Sequence, residues 1–303
     1  MRYIVGRDNI KLKNTVVTLG KFDGIHLGHQ LLINESIRGK QQGFTSVLFT
    51  FEHNLESQYI YDEEEKKELL EETGIDVCIV YPFDNKTKNM DPIDFIKNIL
   101  VDTLDMKKIV IGKDFRFGKD RAGNIDLLKK LSREFEYEVV VFNKKVADDG
   151  EEISSRKIRE DIINSKMDKV TMNLGRPYSF SGIISKGKQL GRIIGYPTIN
   201  IKPGQQKIMP RNGVYASRII FKDEQYREYV GMTNVGNNPT VNDSKDKIIE
   251  TNIFNFDGNV YNKNVKIYIE KYIRDEKKFN SIEELKQQIN KDKLVIINRY
   301  QSR

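Results

Sequence analysis

The chain has 303 residues, of which 38% are hydrophobic, 10% aromatic and 31% charged, a composition typical of a globular protein of about two domains and not of a disordered chain. Charged residues interrupt the first apolar stretch, and no apolar run is long enough to cross a bilayer, so we expect neither a signal peptide nor a membrane partner. Because the single cysteine, Cys78, excludes an internal disulfide and the net charge of +7 comes from lysines interspersed with glutamates, we expect a cytoplasmic protein with no nucleic-acid partner.

Strand and helix patterns alternate in the first half of the chain. The predicted strands are Thr15–Leu19, Thr45–Phe51, Val77–Tyr81, Lys108–Ile111 and Glu138–Phe142. The predicted helices are His29–Ile37, Asp62–Thr73, one that begins at Asp91 and Pro92, and Ile125–Phe135. The Glu/Lys-rich face of the helix at Asp62–Thr73 is expected to lie in water. This alternation predicts an α/β domain with a parallel sheet covered by helices on both faces.

The pattern changes to strands separated by turns after about residue 175. The predicted strands are Ser179–Ser185, Val214–Phe221, Tyr229–Val235, Ile248–Phe256 and Val265–Tyr272. A final helix starts at the capping box Ser281–Glu284, and Ile282, Leu285 and Ile289 share one of its faces. We therefore predict an α/β domain at 1–174 and an antiparallel sheet or small barrel at 175–303.

The segment Gly20–His29 follows a strand and opens a helix. In that position free backbone N–H groups and the helix dipole favour an anion, and glycine allows close approach. Two imidazoles three residues apart, His26 and His29, can donate hydrogen bonds to phosphate oxygens. A surface turn with incidental histidines is the structural alternative, and a zinc site with His53 as third ligand is another.

A second chemical motif lies between Gly187 and Asn200. Thr198 and Asn200 are two residues apart, so both side chains lie on one side of an extended segment. A hydroxyl and an amide oxygen are hard ligands suited to Mg²⁺. The alternative is a Gly/Pro loop in which these two side chains make local turn bonds.

The first motif resembles the signature of the adenylyltransferase module of bacterial bifunctional riboflavin kinase/FAD synthetases, Gly-x-Phe-Asp-Gly-x-His-x-Gly-His. The segments Gly112–Gly118 and Ile153–Arg159 are similar to two further segments of that family. The resemblance implies a Rossmann-like nucleotidyltransferase domain. It implies that His26 and His29 are catalytic, and that ATP phosphates are bound by Gly20, Phe22, Asp23, Gly24, Gly28, Ser154, Ser155 and Arg159. It also implies that the flavin is bound by Asp114, Phe115 and Phe117.

The second motif resembles the riboflavin kinase signature Gly-Arg-x-x-Gly-x-Pro-Thr-x-Asn, and the segments around Val214, Asn234–Thr240, Glu250 and Arg274–Phe279 follow in the order of that family. The resemblance implies a six-stranded barrel with a C-terminal helix. It assigns Glu250 as the general base, Gly187, Lys188 and Gly191 to ATP phosphates, Thr198 and Asn200 to Mg²⁺, and Arg274 to the flavin.

The implied function is ATP-dependent phosphorylation of riboflavin to FMN and adenylylation of FMN to FAD, with flavin as substrate and product. The sequence departs from the family pattern at Lys21, at Arg156 and at Phe51–Leu55, where two prolines are missing. An alternative is therefore a riboflavin kinase with a changed first domain. A regulator that binds flavin or nucleic acid without turnover is the alternative from another class. The sequence leaves the oligomeric state open.

Overall fold

The computed structural model describes residues 1–8, 10–54, 56–187, 190–223, 227–237 and 247–301. The chain forms two compact units, Met1–Ser155 and Arg156–Arg303. The second unit takes in most of the helical segment that precedes residue 175, and the predicted boundary between 174 and 175 remains a prediction. Among the described residues, no helix is long and apolar enough to cross a membrane.

The first unit is built on a parallel sheet of six strands. The strands are β1 Arg2–Val5, β2 Thr15–Leu19, β3 Thr45–Phe51, β4 Val77–Tyr81, β5 Met106–Gly112 and β6 Glu138–Phe142. The helices are α1 Leu27–Arg38, α2 Glu63–Thr73, α3 Asn85–Lys88, α4 Pro92–Asp94 continued by a π-helix Phe95–Val101, and α5 Ile125–Leu131. This confirms the predicted α/β fold.

The order of the strands, β1-β4-β3-β2-β5-β6, creates a switch point between β2 and β5. The chain leaves β2 toward β3 on one side and returns to β5 on the other, so the loops that follow β2 and β5 diverge above the same edge. Ligands of open parallel sheets bind in such a crevice, outside the carboxyl ends of the strands. The segments after Leu19 and Gly112 therefore meet where a site is expected.

Cys78 lies in the middle of β4, where it pairs with residues of β1 and β3. The thiol is fully buried, as its apolar neighbours in the sequence predict. Burial raises the pKa of the Cys78 thiol to about 12, because a thiolate loses its hydration in an apolar interior. Cys78 is therefore a structural residue.

The second unit begins with two helices, α6 Ser155–Ile163, which starts at the last residue of the first unit, and α7 Met167–Leu174. An antiparallel six-stranded sheet follows, in the order β7-β12-β9-β10-β11-β8. Its strands are β7 Tyr178–Ile183, β8 Thr198–Ile201, β9 Gly213–Phe221, β10 Glu228–Asn237, β11 Lys247–Ile253 and β12 Asn264–Arg274. The helices α8 Leu190–Ile193 and α9 Ile282–Gln301 complete it.

The sheet curls until its two edge strands approach each other. Ser185, just after β7, forms an antiparallel bridge with Asn200 of β8. On the inner face, Thr233 bonds to Ser217 at 2.7 Å and to Thr251 at 2.8 Å, so these buried hydroxyls satisfy one another. The outer face is covered by α9, where Ile296 is fully buried. The predicted barrel with a C-terminal helix is confirmed.

Candidate active sites

The first site lies above β2, where the predicted phosphate segment meets the hairpin that ends at Ser155. A cavity of about 260 Å³ is lined there by residues of both segments. The predicted site residues that line it are Gly20, Phe22, His26, Gly28, His29, Asp114, Phe115, Ser154 and Ser155. The structure thus brings together residues that are more than a hundred positions apart.

The two histidines stack face to face at the start of α1, with ring centroids 3.6 Å apart. His26 is the N-cap of α1, and its Nδ1 accepts a hydrogen bond from the backbone N–H of His29 at 3.3 Å. Because Nδ1 is an acceptor, the proton of the neutral ring is on Nε2. The ring of Phe22 contacts His29 edge-on, with centroids 5.1 Å apart.

Asp23 and Gly24 shape the loop and are not among the residues that line the cavity within the described part of the chain. Asp23 is buried, and its Oδ1 accepts a hydrogen bond from the backbone N–H of Ile60 at 2.8 Å. Ser155 Oγ donates to the Asp23 carbonyl at 2.8 Å. Their predicted phosphate contacts remain predictions, and here Asp23 and Ser155 hold the loop in place.

A second, larger cavity of about 590 Å³ lies next to the first, and Gly20, Asp114 and Phe115 line both. Its walls include several aromatic side chains, Phe51, Phe83, Phe95, Phe115 and Phe117. The rings of Phe115 and Phe117 stack with centroids 5.5 Å apart. Basic side chains also line it, namely Lys21, Lys88, Arg116 and Arg121. An aromatic wall with a basic rim suits a flat anionic ligand.

Sequence reasoning missed two lysines of the smaller cavity, Lys144 and Lys145. Lys144 lies between two carboxylates, 2.8 Å from Glu152 Oε2 and 3.5 Å from Asp114 Oδ2. The hydrogen bond to Glu152, followed by the charge of Asp114, raises the pKa of Lys144. The sequence could have indicated them, because Lys144 and Lys145 are two adjacent basic residues just beyond the carboxyl end of β6.

The zinc alternative receives no support from the described residues, among which no group of three His, Cys, Asp or Glu side chains could hold a metal ion. His53 stacks on Tyr59 with centroids 3.7 Å apart. Burial, followed by the charge of Lys66, lowers the pKa of His53 to about 4. Leu55, in the same departing stretch, lies outside the described residues. Arg159 lies on α6, in the second unit.

The second site lies on the outer face of the curled sheet, beneath α9. Residues directly opposite each other in neighbouring strands share a face, so Glu250 is flanked by Asn200 of β8 and Asn234 of β10. Glu250 and Asn234 of this row line a cleft of about 330 Å³, whereas Asn200 is not among its lining residues in the described part of the chain. Its lining includes Thr198, Met232, Asn234, Glu250, Asn252, Arg274, Glu276, Phe279, Leu285 and Ile289. Leu285 and Ile289 line the cleft, whereas Ile282, which was predicted to share their helix face, is exposed.

The environment of Asn200 supports the prediction that Thr198 and Asn200 bind a metal ion. Asn200 is only 4% exposed, and its Oδ1 has no hydrogen-bond partner among the described residues. A buried amide oxygen without a partner costs free energy unless a ligand satisfies it. Thr198 lies two positions earlier on the same strand face. These oxygens fit a hard cation such as Mg²⁺.

Two predicted glycines pack closely around this strand. A Cβ atom at Gly187 would lie 2.4 Å from Nδ2 of Asn200, and one at Gly191 would lie 2.3 Å from the Tyr196 carbonyl oxygen. Tyr196 in turn donates its hydroxyl hydrogen to Asn290 Oδ1 on α9 at 2.8 Å. Lys188 of the same segment and residues 238–240 of the other motif lie outside the described residues.

Arg274 lines the cleft, but its guanidinium group pairs with a carboxylate of the protein. Its Nε lies 2.9 Å and 3.1 Å from the two carboxylate oxygens of Asp292 on α9. Glu276, which sequence reasoning did not assign, accepts hydrogen bonds from Asn234 and Asn212, both at 3.2 Å. Glu276 lies two residues after the end of β12, within the segment Arg274–Phe279 that resembles the family pattern.

A neighbouring cavity of about 310 Å³ adjoins the cleft, and Thr198 lines both. Arg192 and Tyr261 are among its other lining residues. Two cavities that meet at a candidate metal ligand provide separate places for two substrates of a group transfer.

Comparison with known proteins matches the two parts of the chain to two different families. The FAD synthetase family model matches residues 8–157, and the riboflavin kinase family model matches residues 174–299. The chain is similar to the bifunctional riboflavin kinase/FMN adenylyltransferase of Buchnera aphidicola subsp. Schizaphis graminum, with 35% identity over 99% of each chain. It is 30% identical to that of Escherichia coli K12, over 97% of this chain and 96% of the other.

One solved structure also matches along nearly the whole length. It is the crystal structure of a Streptococcus pneumoniae protein named a macrolide-efflux protein, with a TM-score of 0.86, 28% identity, and coverage of 98% of this chain and 99% of the other. With both family models matched in order and relatives at this identity, the chain belongs to the family of bifunctional riboflavin kinase/FMN adenylyltransferases.

Proposed function

We propose that this chain phosphorylates riboflavin to FMN in its second unit and adenylylates FMN to FAD in its first unit, with ATP as the co-substrate of both reactions. The observation that supports this proposal is that each unit has its own cleft, lined by residues of a different sequence motif. Membership of the family supports both activities, since both family models match and the relatives are named for both.

In the proposed kinase reaction, the Glu250 carboxylate takes the proton of the ribityl 5′-hydroxyl as that oxygen attacks the γ-phosphorus of ATP. The γ-phosphoryl group moves to the hydroxyl oxygen and ADP leaves. Riboflavin would occupy the cleft beside Glu250, where Met232, Leu285 and Ile289 offer an apolar surface to its ring system. ATP would occupy the adjoining cavity.

Thr198 and Asn200 would hold Mg²⁺ in the kinase site, because the buried Oδ1 of Asn200 lacks a partner among the described residues. When bound, the ion neutralises phosphate charge. The segment with Gly187 and Gly191 would cover the phosphates, and the protein's own role there is to fix that segment against Asn200 and Tyr196.

In the proposed adenylyl transfer, a phosphate oxygen of FMN attacks the α-phosphorus of ATP, and pyrophosphate leaves. No covalent enzyme intermediate is needed, so orientation and hydrogen-bond donors carry the catalysis. Nε2–H of His26, the backbone N–H of Gly28 and the ammonium groups of Lys144 and Lys145 are candidate donors to the phosphates, since all four residues line the small cavity. The isoalloxazine would lie in the larger aromatic cavity.

We also propose a cytoplasmic location and small-molecule partners only. The single cysteine is a buried thiol that needs no oxidising compartment, and the reactants of both proposed reactions are nucleotides and flavins.

Product analysis with riboflavin, ATP and magnesium tests the function. Wild-type protein is expected to form FMN and FAD. Glu250→Gln is expected to lose both unless FMN is supplied, whereas His29→Asn should form FMN but little FAD. FMN alone from the wild type would support the kinase reaction and indicate the alternative, a riboflavin kinase with a changed first domain. Formation of neither product would overturn both reactions.

A further inference from the structure

Lys66 is a buried lysine in a helix that its sequence predicts to be solvated. It belongs to the run of glutamates and lysines at the start of α2, yet its side chain is only 6% exposed. Leu69 and Leu70, three and four residues later, are buried on the same face. The expectation that the Glu/Lys-rich face of this helix lies in water is therefore wrong at Lys66 and also at Glu65, which is 3% exposed.

The ammonium group of Lys66 reaches the loop of the first site. Nζ donates hydrogen bonds to the carbonyl oxygen of Lys21 at 2.8 Å and to Thr50 Oγ1 at 3.1 Å. Thr50 Oγ1 also donates to the Lys21 carbonyl at 3.2 Å. The carbonyl of one loop residue is thus held by two side chains, from α2 and from the end of β3.

The loop that follows this carbonyl has an unusual backbone. Phe22 and Ile25 have φ values of 48° and 44°, a region that side chains other than glycine adopt at a cost. Such conformations persist where the surrounding structure fixes them. Phe22 and His26 line the small cavity, so whatever fixes the Lys21 peptide also fixes the wall of the site.

We propose that Lys66 is a positioning residue for adenylyl transfer: its buried ammonium group holds the Lys21 carbonyl and thereby fixes the loop that carries Phe22 and His26. The proposal rests on the adenylyltransferase function proposed above. Lys66 acts through the loop and contacts neither substrate directly.

The Lys66 side chain changes its protonation state near physiological pH. Burial lowers the pKa of Lys66 to about 8, an effect partly offset by Cys78, Asp23 and Glu63. His53, whose own pKa is about 4, is uncharged where Lys66 titrates. The ammonium form, present below pH 8, donates stronger hydrogen bonds than the neutral amine present above it. FAD formation should therefore weaken as pH rises through this value.

The test compares Lys66→Met, which removes the donor, with Lys66→Arg, which keeps the charge at every pH, and with Thr50→Val, which keeps Lys66 buried. Lys67→Met on the same helix is the matched control, because Lys67 packs over the Tyr3 ring. The measurements are kcat and KM for FAD formation from FMN, riboflavin kinase activity in the same sample, and amide exchange of residues 20–26.

Lys66→Met is expected to lower kcat for FAD formation by about tenfold or more with a smaller change in KM, as misplaced reacting groups do. Loop exchange should rise, while riboflavin kinase activity stays constant and reports that the chain is folded. Lys66→Arg should recover part of kcat, and its activity relative to the wild type should increase as pH rises above 8.

Wild-type kcat and exchange in Lys66→Met would overturn the proposal. If that variant failed to fold, Lys66→Arg would decide, since an activity relative to the wild type that stays constant as pH rises above 8 would also overturn it. A wild type that forms no FAD, with faster loop exchange only in Lys66→Met, would overturn the proposed function while supporting the anchoring of the loop.

Discussion

Gly187 lies so close to Asn200 that no larger residue fits without displacement of the candidate metal ligand. Gly187→Ala is expected to reduce riboflavin kinase activity by about tenfold or more, because a small misplacement of a catalytic group is costly. Gly182→Ala is the control, since a Cβ atom there would lie an ordinary 3.4 Å from Ile201. FAD formation from supplied FMN should not change in either variant. Wild-type kinase activity in Gly187→Ala would contradict this role.

Single residues also show which parts of the sites could not be predicted from the sequence. The motifs around His26 and Thr198 were found because their chemistry is local. Lys66 was misjudged, since its acceptor on Lys21 is distant in sequence and charge alone suggests solvent exposure. The helical spacing from Lys66 to Leu69 and Leu70 was the signal that could have placed it. The ion pair between Arg274 and Asp292 could not be predicted either, because the two residues belong to different elements.

At the level of elements, α9 is held to the sheet by the buried Asp292, which is 3% exposed and pairs with Arg274 at 2.7 Å. Asp292→Ala leaves that guanidinium without its carboxylate and should lower the free energy of unfolding of the second unit by about 3 kcal/mol. We also expect a higher KM for riboflavin, since Leu285 and Ile289 of α9 line the cleft. Urea unfolding and steady-state kinetics measure the two effects.

The exposed pair Arg211–Asp275, 3.8 Å apart, provides the comparison. Asp275→Ala should cost less than about 1 kcal/mol, because solvent screens such pairs. Equal losses in the two variants would show that burial of Asp292 does not matter.

Most elements were predictable because their signals are local. Four strands were predicted with the bounds observed, namely Thr15–Leu19, Thr45–Phe51, Val77–Tyr81 and Glu138–Phe142. The edge strand Arg2–Val5 was missed although Gly6 follows it directly, since the run is only four residues long and depends on pairing with β4. The π-helix Phe95–Val101 leaves no trace in side-chain spacing. The start of α9 was right, although the Glu284 carboxylate accepts from Asn280 N–H in place of Ser281.

At the scale of the whole molecule, α6 and α7 fold with the barrel. Ser165, between these helices, hydrogen-bonds to the Tyr215 hydroxyl at 2.6 Å. Asp168 on α7 pairs with Lys271 of β12 and, at 3.5 Å, with Arg299 of α9. These contacts belong to the second unit and precede the predicted boundary at residue 175.

A fragment of residues 156–303 is therefore expected to be more stable than one of residues 175–303. The shorter fragment lacks Ser165 and Asp168, which bond to Tyr215, Lys271 and Arg299, and should melt at least about 5 °C lower. Circular dichroism of both fragments, with riboflavin kinase activity as the check of folding, makes the comparison. Equal melting temperatures would favour the boundary predicted from sequence.

The burial of Cys78 has a practical consequence. Its thiol is inaccessible and almost wholly protonated at neutral pH, so alkylating reagents should leave the native chain unmodified. A cysteine introduced at Leu294, an exposed position on α9, would be the single reactive thiol. A nitroxide attached there would report, through its spectral line shape, whether α9 changes its mobility when riboflavin and ATP are added, without any background label to subtract.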